Sequence, residues 1–428
     1  MVVVLTCMSS ACSQTGGDWQ KCIGSLRAEL PQHPDVSAET FDQQTRAAQD
    51  MRPAVEVATK SQPEFTKKVW DYVALLADAQ RAADGQQILE REAAQLPAIA
   101  GRYGVDPATM VAVFGVETDY GRVDGKYPVI DATLSRACAN RDSKERRGQF
   151  FAALALVQQG VVRPAEFKGS WAGAFGLTQF MPGTFQRFKA DGDGDGQIDI
   201  YHSVPDALAT TANFLGSSGW SDKLPWGVEV KVPGAVAAQW NALERDHGCL
   251  AAATTEGQCR SVSQWASSGV TRVAGGPLLD PGAGGKRLDA ATRAALLMPA
   301  GPDGPAWLVT RNYEAVWRYN RADAYALAIG LLSDALRNEA PMRAAWPTDD
   351  PGLSRAEFRE LQSMLLLRGH LDVTPDGHDG PRTQDAVRAE ERVRGLPESG
   401  RSGQKMLQLL RGDTPPAAAS APAEAASR

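Results

Sequence analysis

Several marks of specialised protein classes are absent from these 428 residues. Lys and Arg number 45 against 51 Asp and Glu, a formal net charge of -6, so the chain has no basic footprint for nucleic acid. The five His residues occur singly and the six Cys residues lack CxxC spacing, which excludes the usual zinc motifs. The N-terminal apolar run, residues 2–8, is far shorter than the roughly 20 residues that a membrane span needs, and no other segment could cross a bilayer. What remains is an ordinary globular composition, 43% hydrophobic and 22% charged, and a length that suggests about two to three domains.

Most of the chain has helical patterning. Residues 63–102 are rich in Ala, Gln, Glu, Leu and Arg, with apolar positions at helical spacing. Asp106 followed by Pro107 predicts a helix start, a cap and then a first-turn proline. The apolar residues that follow place Glu117 near the end of a core helix. Residues 311–336 return to helix.

A small β region interrupts the helices. The alternation in GVEVKV predicts a strand within residues 226–232, and residues 296–309 have the pattern of a hairpin. We therefore expect a mainly α fold with a β insertion over about residues 226–310. Residues 341–352, PMRAAWPTDDPG, are typical of a linker, and the Pro and Ala-rich tail, 413–428, is expected to be disordered.

Two segments carry the most specific information. Residues 113–122, VFGVETDYGR, close an apolar helical stretch with the carboxyl group of Glu117. Residues 169–199 begin as GSWAGAFGLTQFMP, a loop rich in small residues, and end in the acidic ladder ADGDGDGQID. Together these segments resemble the lytic murein transglycosylase B family, glycoside hydrolase family 103, over roughly residues 20–335.

The resemblance implies an exported, lysozyme-like enzyme. Its catalytic region, residues 18–340, would cleave the bond between N-acetylmuramic acid and N-acetylglucosamine in peptidoglycan glycan strands. No water enters this reaction, because one Glu, here Glu117, acts first as an acid and then as a base on the C6 hydroxyl, which closes a 1,6-anhydro ring. Two alternatives stay open, a hydrolytic muramidase and a catalytically inactive peptidoglycan-binding scaffold protein.

The surroundings of Glu117 suit an acid. A carboxyl group kept neutral by apolar neighbours can protonate an alkoxide leaving group at neutral pH, and Val113, Phe114 and Val116 could provide such desolvation. Asp119 is the nearest second carboxylate, but residues two apart do not share a helix face. In isolation, a Glu that merely caps or pairs at a helix end would be the better interpretation.

Two loop positions follow from the resemblance. Ser170 would lie beside the catalytic Glu, and Gln179, whose amide both donates and accepts hydrogen bonds, would contact the substrate. Gly173 and Gly176 would let the backbone approach a ligand closely. Taken without the family, this segment is equally a packing loop with a buried Gln. At Phe214 the chain departs from the family, which commonly carries Tyr there.

Two further groups match family positions. The segment YNRADAY supplies Tyr319, Asn320 and Tyr325, which would line the glycan groove, where aromatic rings suit the apolar faces of sugars. Arg146 and Arg147 match a basic pair suited to the carboxylates of peptide stems. Without the family, the tyrosines fit a core and the arginines fit a solvated charge run.

The acidic ladder has the spacing of the front of an EF-hand loop. Position twelve, normally Glu, is His202, and the family closes a longer loop with a later Asp. The resemblance implies a structural Ca²⁺ bound by Asp191, Asp193, Asp195, the backbone carbonyl of Gln197, and Asp206. The register is open by two residues, and a solvated acidic turn is the alternative.

The N-terminus and the Cys residues bear on location. Residues 1–17 resemble the end of an export signal, which predicts a periplasmic protein, and the residues before Cys12 faintly resemble a lipoprotein cleavage site. An outer-membrane lipoprotein anchored through Cys12 is therefore the alternative, and this anchor would be its only membrane contact. An even number of Cys residues then favours disulfides over buried free thiols. The expected pairs are Cys22–Cys138 and Cys249–Cys259.

The C-terminal region, residues 353–412, resembles a three-helix peptidoglycan-binding domain. Ser354 and Glu357 form a capping box, and PDGHDGPRTQDAV matches the turns of that family. Asp379 and Glu390 occupy positions that are usually apolar or aromatic, so packing there is expected to be loosened or the face remodelled. The expected partners are peptidoglycan strands and, in addition, cell-wall synthesis or division proteins.

Overall fold

The computed structural model describes residues 9–239, 259–279 and 288–412. Helices dominate these residues, and strands are confined mostly to one insertion, as the sequence predicts. The helices are α1 (Ser9–Ala28), α2 (Ala38–Thr45), α3 (Arg52–Lys60), α4 (Pro63–Thr66), α5 (Val69–Leu76), α6 (Ala79–Arg91), α7 (Leu96–Tyr103), α8 (Pro107–Thr118), α9 (Val129–Ala139), α10 (Lys144–Gln158), α11 (Pro182–Phe188), α12 (Val204–Ser217), α13 (Gly234–Ala237), α14 (Val262–Ser267), α15 (Arg311–Asn320), α16 (Asp323–Leu336), α17 (Arg355–Leu367), α18 (Pro381–Val393) and α19 (Gln404–Gly412). The strands are β1 (Tyr127–Pro128), β2 (Lys168–Gly169), β3 (Gly227–Lys231), β4 (Cys259–Ser261), β5 (Thr271–Arg272), β6 (Arg293–Leu297) and β7 (Ala306–Val309).

Helix α8 is the centre of the larger core. It begins where predicted, because Asp106 accepts a hydrogen bond from the Thr109 amide at 3.2 Å and Pro107 occupies the first turn. Its residues 110–114 are at most 1% exposed, and α16, α6 and α12 pack around it. Such burial of each large apolar side chain contributes about 1.5–3 kcal/mol. Glu117 is therefore attached to a helix that has little freedom to move.

A second core joins the N-terminal helices to the catalytic region. Helices α1, α2, α9 and α10 bury a shared apolar cluster that includes Trp19, Phe41 and Phe150. Cys22 of α1 forms a disulfide with Cys138 of α9, with the two Cα atoms 5.8 Å apart. The covalent link fixes α1 against α9. Helix α1 also contains residues 9–17 of the predicted export signal, which stays a prediction.

The β insertion forms an antiparallel sheet. Its strand order is β4-β6-β7-β3-β5, and β6 and β7 form the predicted hairpin, with Leu296 opposite Leu308. Strand β3 lies where GVEVKV predicts it. Cys259 is disulfide-bonded, but its predicted partner Cys249 lies outside the described residues, so this pairing stays a prediction.

The C-terminal region has the three expected helices, α17, α18 and α19, around a small apolar core. The capping box at its start is present, with Ser354 and Glu357 bonding each other's backbone amides. Glu390 does not loosen the packing, because His370 bonds its carboxylate at 2.8 Å and Arg394 also pairs with it. Asp379 forms an ion pair with Lys67 of the catalytic region. Asp379 thus turns this face of the C-terminal region into a contact with the catalytic region.

The predicted linker, residues 341–352, has no helix or strand, yet it is not loose. The ring of Trp346 packs against the rings of Trp70 and Trp307, at centroid distances of 6.4 and 6.1 Å. Helix α17 packs against α5. The tail, 413–428, lies outside the described residues, and within the described ones no helix combines the length and apolar character needed to cross a membrane.

Candidate active site

Glu117 is a half-buried carboxyl group at the end of α8. Its Oε1 accepts a hydrogen bond from the Tyr325 hydroxyl at 2.5 Å, and among the described residues no Lys or Arg forms an ion pair with it. Burial raises the pKa of Glu117 to about 8, the Tyr325 hydrogen bond opposes this, and the charge of Glu64 adds to it. The group is therefore mostly protonated at neutral pH.

The YNRADAY segment joins three parts of the site. Tyr325 bonds Glu117, the Tyr319 hydroxyl donates to the Thr178 carbonyl at 2.5 Å, and the Asn320 amide donates to Glu64 Oε1 at 3.2 Å. The two tyrosine rings are stacked with centroids 6.2 Å apart. The end of α15 and the start of α16 thus contact the Glu117 carboxyl group, the glycine-rich loop and the Glu64 carboxylate.

The glycine-rich loop folds back on itself in two short bridges, Gly169 with Phe175 and Phe175 with Phe180. Ser170 Oγ organises the turn, since it accepts hydrogen bonds from the Ala172 and Ala174 amides at 3.3 and 3.1 Å. No hydrogen bond joins Ser170 to Glu117 among the described residues. Its role beside the acid therefore stays a prediction.

The loop glycines allow close packing of the loop. A Cβ at Gly173, where φ is +89°, would lie 2.4 Å from Thr133 Cγ2, and one at Gly176, where φ is +75°, would lie 2.9 Å from the Ile200 carbonyl oxygen. Neither position could hold another residue without moving its neighbours. Gly176 also lines the cleft that Gln179 borders, and approach of the loop backbone to a ligand stays a prediction.

Gln179 lines a cleft of about 470 Å³ together with Thr118, the residue after Glu117. Thr118 Oγ1 donates to the Leu177 carbonyl at 2.6 Å, which fastens the loop to the end of α8. The Gln179 side chain donates to the Gly176 carbonyl at 2.8 Å, and its contact with substrate stays a prediction. Tyr201, at the end of the acidic ladder, lines the same cleft. The cleft therefore joins the loop, the acidic ladder and the helix that bears the acid.

Phe214 belongs to an aromatic cluster beside the groove. Its ring contacts those of Tyr319, Phe188 and Phe180 at centroid distances of 5.1, 5.3 and 5.9 Å. An apolar edge thus stands where the family's phenol would offer a hydrogen bond. The Phe214 ring packs edge to face against the Tyr319 ring.

The arginine pair lies in different surroundings. Arg147 pairs with Glu29 at 3.0 Å and also bonds the Arg141 carbonyl, so it fastens α10 to the N-terminal region. Arg146 is half-buried and forms no ion pair among the described residues. Arg136, which the sequence did not single out, bonds the Ala172 carbonyl at 3.0 Å and supports the loop. Binding of peptide stems by the pair stays a prediction.

The acidic ladder brings three of the predicted metal ligands together. Carboxylate oxygens of Asp191, Asp193 and Asp206 all lie within 4.8 Å of one another. Asp206 is 1% exposed, and its pKa is raised by burial and by the charges of Asp193 and Asp191. No Lys or Arg pairs with the three in the described part of the chain. Hard oxygen ligands with uncompensated charge suit a divalent cation, so the residues fit Ca²⁺.

The other two predicted ligands, Asp195 and Gln197, lie outside this group of three carboxylates. Asp195 accepts a hydrogen bond from the Gln197 amide at 2.7 Å, and both residues lie at the surface. Asp199 instead pairs with His202 at 2.8 Å. Coordination by Asp195 and by the Gln197 carbonyl stays a prediction.

Comparison with known proteins identifies the catalytic region. Residues 18–334 match the transglycosylase SLT domain family, and residues 354–410 match a peptidoglycan binding domain family. The chain belongs to the transglycosylase SLT family of lytic transglycosylases. The predicted family, fold class and enzyme class are thereby confirmed, and the lysozyme-like core of this transglycosylase is shared with solved members.

Three relatives of this transglycosylase illustrate the match. SltB3 from Pseudomonas aeruginosa, solved in complex with NAG-anhNAM-pentapeptide, is 37% identical, with 92% of this chain and 99% of that chain covered and a TM-score of 0.66. Slt35 from Escherichia coli, solved in complex with calcium, shares the fold at 23% identity, with 75% and 93% covered and a TM-score of 0.59. Membrane-bound lytic murein transglycosylase B from E. coli is 28% identical over 242 residues, which span 55% of this chain and 58% of that protein.

Glu64 is the site residue that the sequence did not reveal. It lies on the short helix α4, and its charge raises the pKa of Glu117. The sequence pointed to Asp119 as the nearest second carboxylate, but Asp119 adopts a left-handed conformation (φ 52°) after α8 and faces arginines instead. Nothing in the local sequence marks Glu64, because its proximity to Glu117 is created by the packing of α4 against α16.

Proposed function

We propose that this transglycosylase cleaves the β-1,4 bond between N-acetylmuramic acid and N-acetylglucosamine without water and leaves 1,6-anhydro-muramoyl ends. The observation that carries the proposal is the Glu117 site, a desolvated carboxyl group with one hydrogen-bond donor. A group with a pKa of about 8 holds its proton at neutral pH and can deliver it to a leaving oxygen. SltB3 was solved with NAG-NAM-pentapeptide and with NAG-anhNAM-pentapeptide, and we assign this chain the same substrate class.

In the proposed reaction, Glu117 gives its proton to the glycosidic oxygen as the bond from that oxygen to C1 breaks. The carboxylate then takes the proton of the C6 hydroxyl while O6 bonds C1. Tyr325 holds Oε1, so Oε2 is the oxygen that carries the proton. The same hydrogen bond stabilises the carboxylate between the two steps, because it favours the charged form.

Glu64 is the observation that favours a hydrolytic alternative. A second carboxylate near the acid could activate a water, as inverting glycosidases do. However, the Asn320 and Gln62 amides both donate to Glu64 Oε1, at 3.2 and 3.3 Å, which restrains this carboxylate. We therefore assign Glu64 an electrostatic role and keep the muramidase as the second candidate.

Digestion of purified sacculi distinguishes the candidates. Mass spectrometry of the products should show anhydro-muropeptides, which are lighter by one water than hydrolytic products. Glu117→Gln should abolish their release, while Glu90→Gln, at an exposed position of α6, should leave it unchanged. Hydrated ends as the main product would favour the muramidase. An inactive scaffold would release no products even as the wild type, and its biological function would be untouched by Glu117→Gln.

We also propose that the acidic ladder binds Ca²⁺ and that the ion stabilises the loop beside the cleft. Asp191, Asp193 and Asp206 would hold it, assisted by Asp195 and the carbonyl of Gln197. Addition of Ca²⁺ should raise the melting temperature of the wild type but not that of Asp193→Asn, with Asp142→Asn as the exposed control. An equal response of the wild type and Asp193→Asn would contradict the site.

The C-terminal domain is proposed to hold the enzyme on the wall. Sacculus pull-down of the chain without residues 341–428 tests this, because undiminished binding would refute it.

The Cys22–Cys138 disulfide supports an oxidising compartment, which agrees with a periplasmic location. Lipidation of Cys12 stays the alternative to simple export, and mass spectrometry of the mature N-terminus distinguishes the two. Contacts with cell-wall synthesis or division proteins stay a prediction.

A further inference from the structure

Six charged residues meet where the C-terminal domain contacts the catalytic region. We call them the interdomain charge cluster, and they are three cations and three carboxylates: Arg81, Arg122, Arg355, Asp78, Asp84 and Asp119. Five of them are at most 8% exposed, and only Arg122 reaches solvent. Arg355 is the one member that belongs to the C-terminal domain. This domain therefore contributes a charge to the interior of the catalytic region.

We propose that Arg355 is a positioning residue for the reaction, through which the C-terminal domain fixes the last turn of the helix that bears Glu117. Its side chain is 2% exposed and pairs with the Asp119 carboxylate and, at 3.2 Å, with Asp84. Its backbone amide donates to Asp78 Oδ2 at 2.9 Å. The proposal goes beyond wall binding, since it makes the C-terminal domain part of the catalytic architecture.

Asp119 connects this contact to the acid. It follows α8 directly, two residues after Glu117, and its amide closes the last turn by donating to the Gly115 carbonyl at 3.1 Å. Arg81 pairs with Asp119 at 3.3 Å and also bonds that carbonyl. Two guanidinium groups, from α6 and α17, thus contact the end of α8.

Tyr120 closes the same arrangement. Its hydroxyl donates to the Arg81 carbonyl at 2.9 Å, and its ring packs on Gly115 so closely that a Cβ there would lie 2.6 Å from the ring. The last turn of α8 has no room to shift on this side. Its position depends on Arg81 and Asp119, and the carboxylate of Asp119 is shared between Arg81 and Arg355.

The charge count explains why Arg355 matters. Without it, two cations face three carboxylates, and Asp119 keeps only the longer pairs with Arg81 at 3.3 Å and with the exposed Arg122 at 3.5 Å. Asp119 is the member with least freedom, because it ends α8. Displacement of a reacting group by about 1 Å can cost on the order of a hundredfold in rate. Loss of Arg355 should therefore lower turnover rather than substrate affinity.

Arg401 supplies a matched control. It also crosses between the two regions, pairing with Asp71 of α5 at 2.7 Å and with Asp350 at 2.7 Å, but it does not contact α8. Arg355→Met and Arg401→Met both remove one interdomain arginine. If the interface acted only by keeping the domains together, the two variants would behave alike.

The test measures kcat and KM on a soluble peptidoglycan tetrasaccharide, with melting curves to establish folding. Arg355→Met should lower kcat by about ten- to a hundredfold with KM within about threefold of wild type, while Arg401→Met keeps kcat within about threefold. Arg355→Lys, which keeps the charge, should recover part of the loss. The double variant Arg355→Met with Asp119→Asn restores the charge balance. Its kcat should be higher than that of Arg355→Met alone.

Equal kcat values for folded Arg355→Met and Arg401→Met would overturn the proposal, as would a loss confined to KM. Should Arg355→Met fail to fold, wild-type kcat in the neutral variant Arg355→Gln would overturn it instead. The inference rests on the proposed function, in which Glu117 is the acid. The products of the wild type distinguish a failure of that function from a failure of the Arg355 proposal. A wild type without anhydro products counts against the proposed function, whereas the variants are judged only against an active wild type.

Discussion

Glu117 and Asp119 lie two residues apart at the end of one helix, in opposite surroundings. Glu117 faces tyrosines and apolar side chains, and its one close polar contact in the described structure is the Tyr325 hydroxyl. Asp119 faces arginines from α6 and from the C-terminal domain. The change of direction comes from the left-handed residue that ends α8. The comparison shows that the partners available in the fold, rather than the local sequence, leave one carboxyl group without an ion pair and make its neighbour a structural anion.

The largest expected difference between the two concerns activity. Glu117→Gln keeps the shape of the side chain but removes the transferable proton, so kcat on sacculi should fall by about 10²–10⁴-fold. Asp119→Asn should lower it far less, because Asp119 touches no reacting atom. Release of anhydro-muropeptides measures both. A larger loss for Asp119→Asn than for Glu117→Gln would reverse the assignment of the acid.

Stability should show the opposite order. Asp119→Asn removes the buried ion-pair partner of Arg81 and one of the two partners of Arg355, so the free energy of unfolding should fall by about 3–5 kcal/mol. Glu117→Gln removes no ion pair and should not lower it at pH 7. Denaturant unfolding of the two variants measures the difference. Equal losses of stability would mean that Glu117 also has a structural partner.

The dependence of stability on pH should identify the raised pKa directly. Burial raises the pKa of Glu117 from 4.5 in the unfolded chain to about 8, so the folded state binds more protons than the unfolded state between these values. Stability conferred by the protonated form is therefore lost as pH rises through this range. Relative to Glu117→Gln, the wild type should lose about 1.4 kcal/mol per pH unit. A flat difference from pH 5 to 8 would contradict the burial argument.

Removal of the Tyr325 hydroxyl should raise the pKa further. Its hydrogen bond lowers the pKa of Glu117, and a hydrogen bond to a charged group contributes about 1.5–3 kcal/mol. In Tyr325→Phe, the basic limb of the kcat/KM profile should therefore move upward by about one pH unit. Tyr319→Phe, which loses a bond to the Thr178 carbonyl instead, is the control and should show no shift.

The smallest expected change in the pKa of Glu117 comes from removal of the Glu64 charge, which should lower this pKa. The charge of Glu64 raises the pKa of Glu117, so Glu64→Gln should move the basic limb downward by less than about one unit. An upward or absent shift would show that the two carboxyl groups do not interact. Hydrated products lost selectively in Glu64→Gln would instead identify Glu64 as the base of a muramidase.

Local patterns allowed much of the fold to be predicted. The cap at Asp106, the strand in GVEVKV and the capping box at Ser354 depend on residues close in sequence, and each element begins where its pattern indicates. The family resemblance also pointed to Glu117 and Tyr325, which the fold joins by a hydrogen bond. Such features are set by backbone geometry and side-chain periodicity, which neighbouring residues determine.

What the sequence did not reveal depends on distant contacts. Glu64 approaches Glu117 only after α4 packs on α16, and Arg355 reaches α8 from another domain. Arg147 seemed available to a ligand because its partner Glu29 lies far away in the chain. A charged residue has no periodic pattern, so its partner cannot be deduced from spacing. Asp379 illustrates the same limit, since an apparent packing defect is an ion pair with Lys67.

The interdomain charge cluster also bears on how such modules can be recombined. A foreign wall-binding domain attached after residue 340 would arrive without a guanidinium at the position of Arg355, and the recipient would keep a surplus anion in its interior. A chimaera therefore requires either an arginine at the position of Arg355 in the new domain or replacement of Asp119 by a neutral residue in the catalytic region. In this enzyme the appended module and the catalytic scaffold have to be inherited, or engineered, as a matched pair.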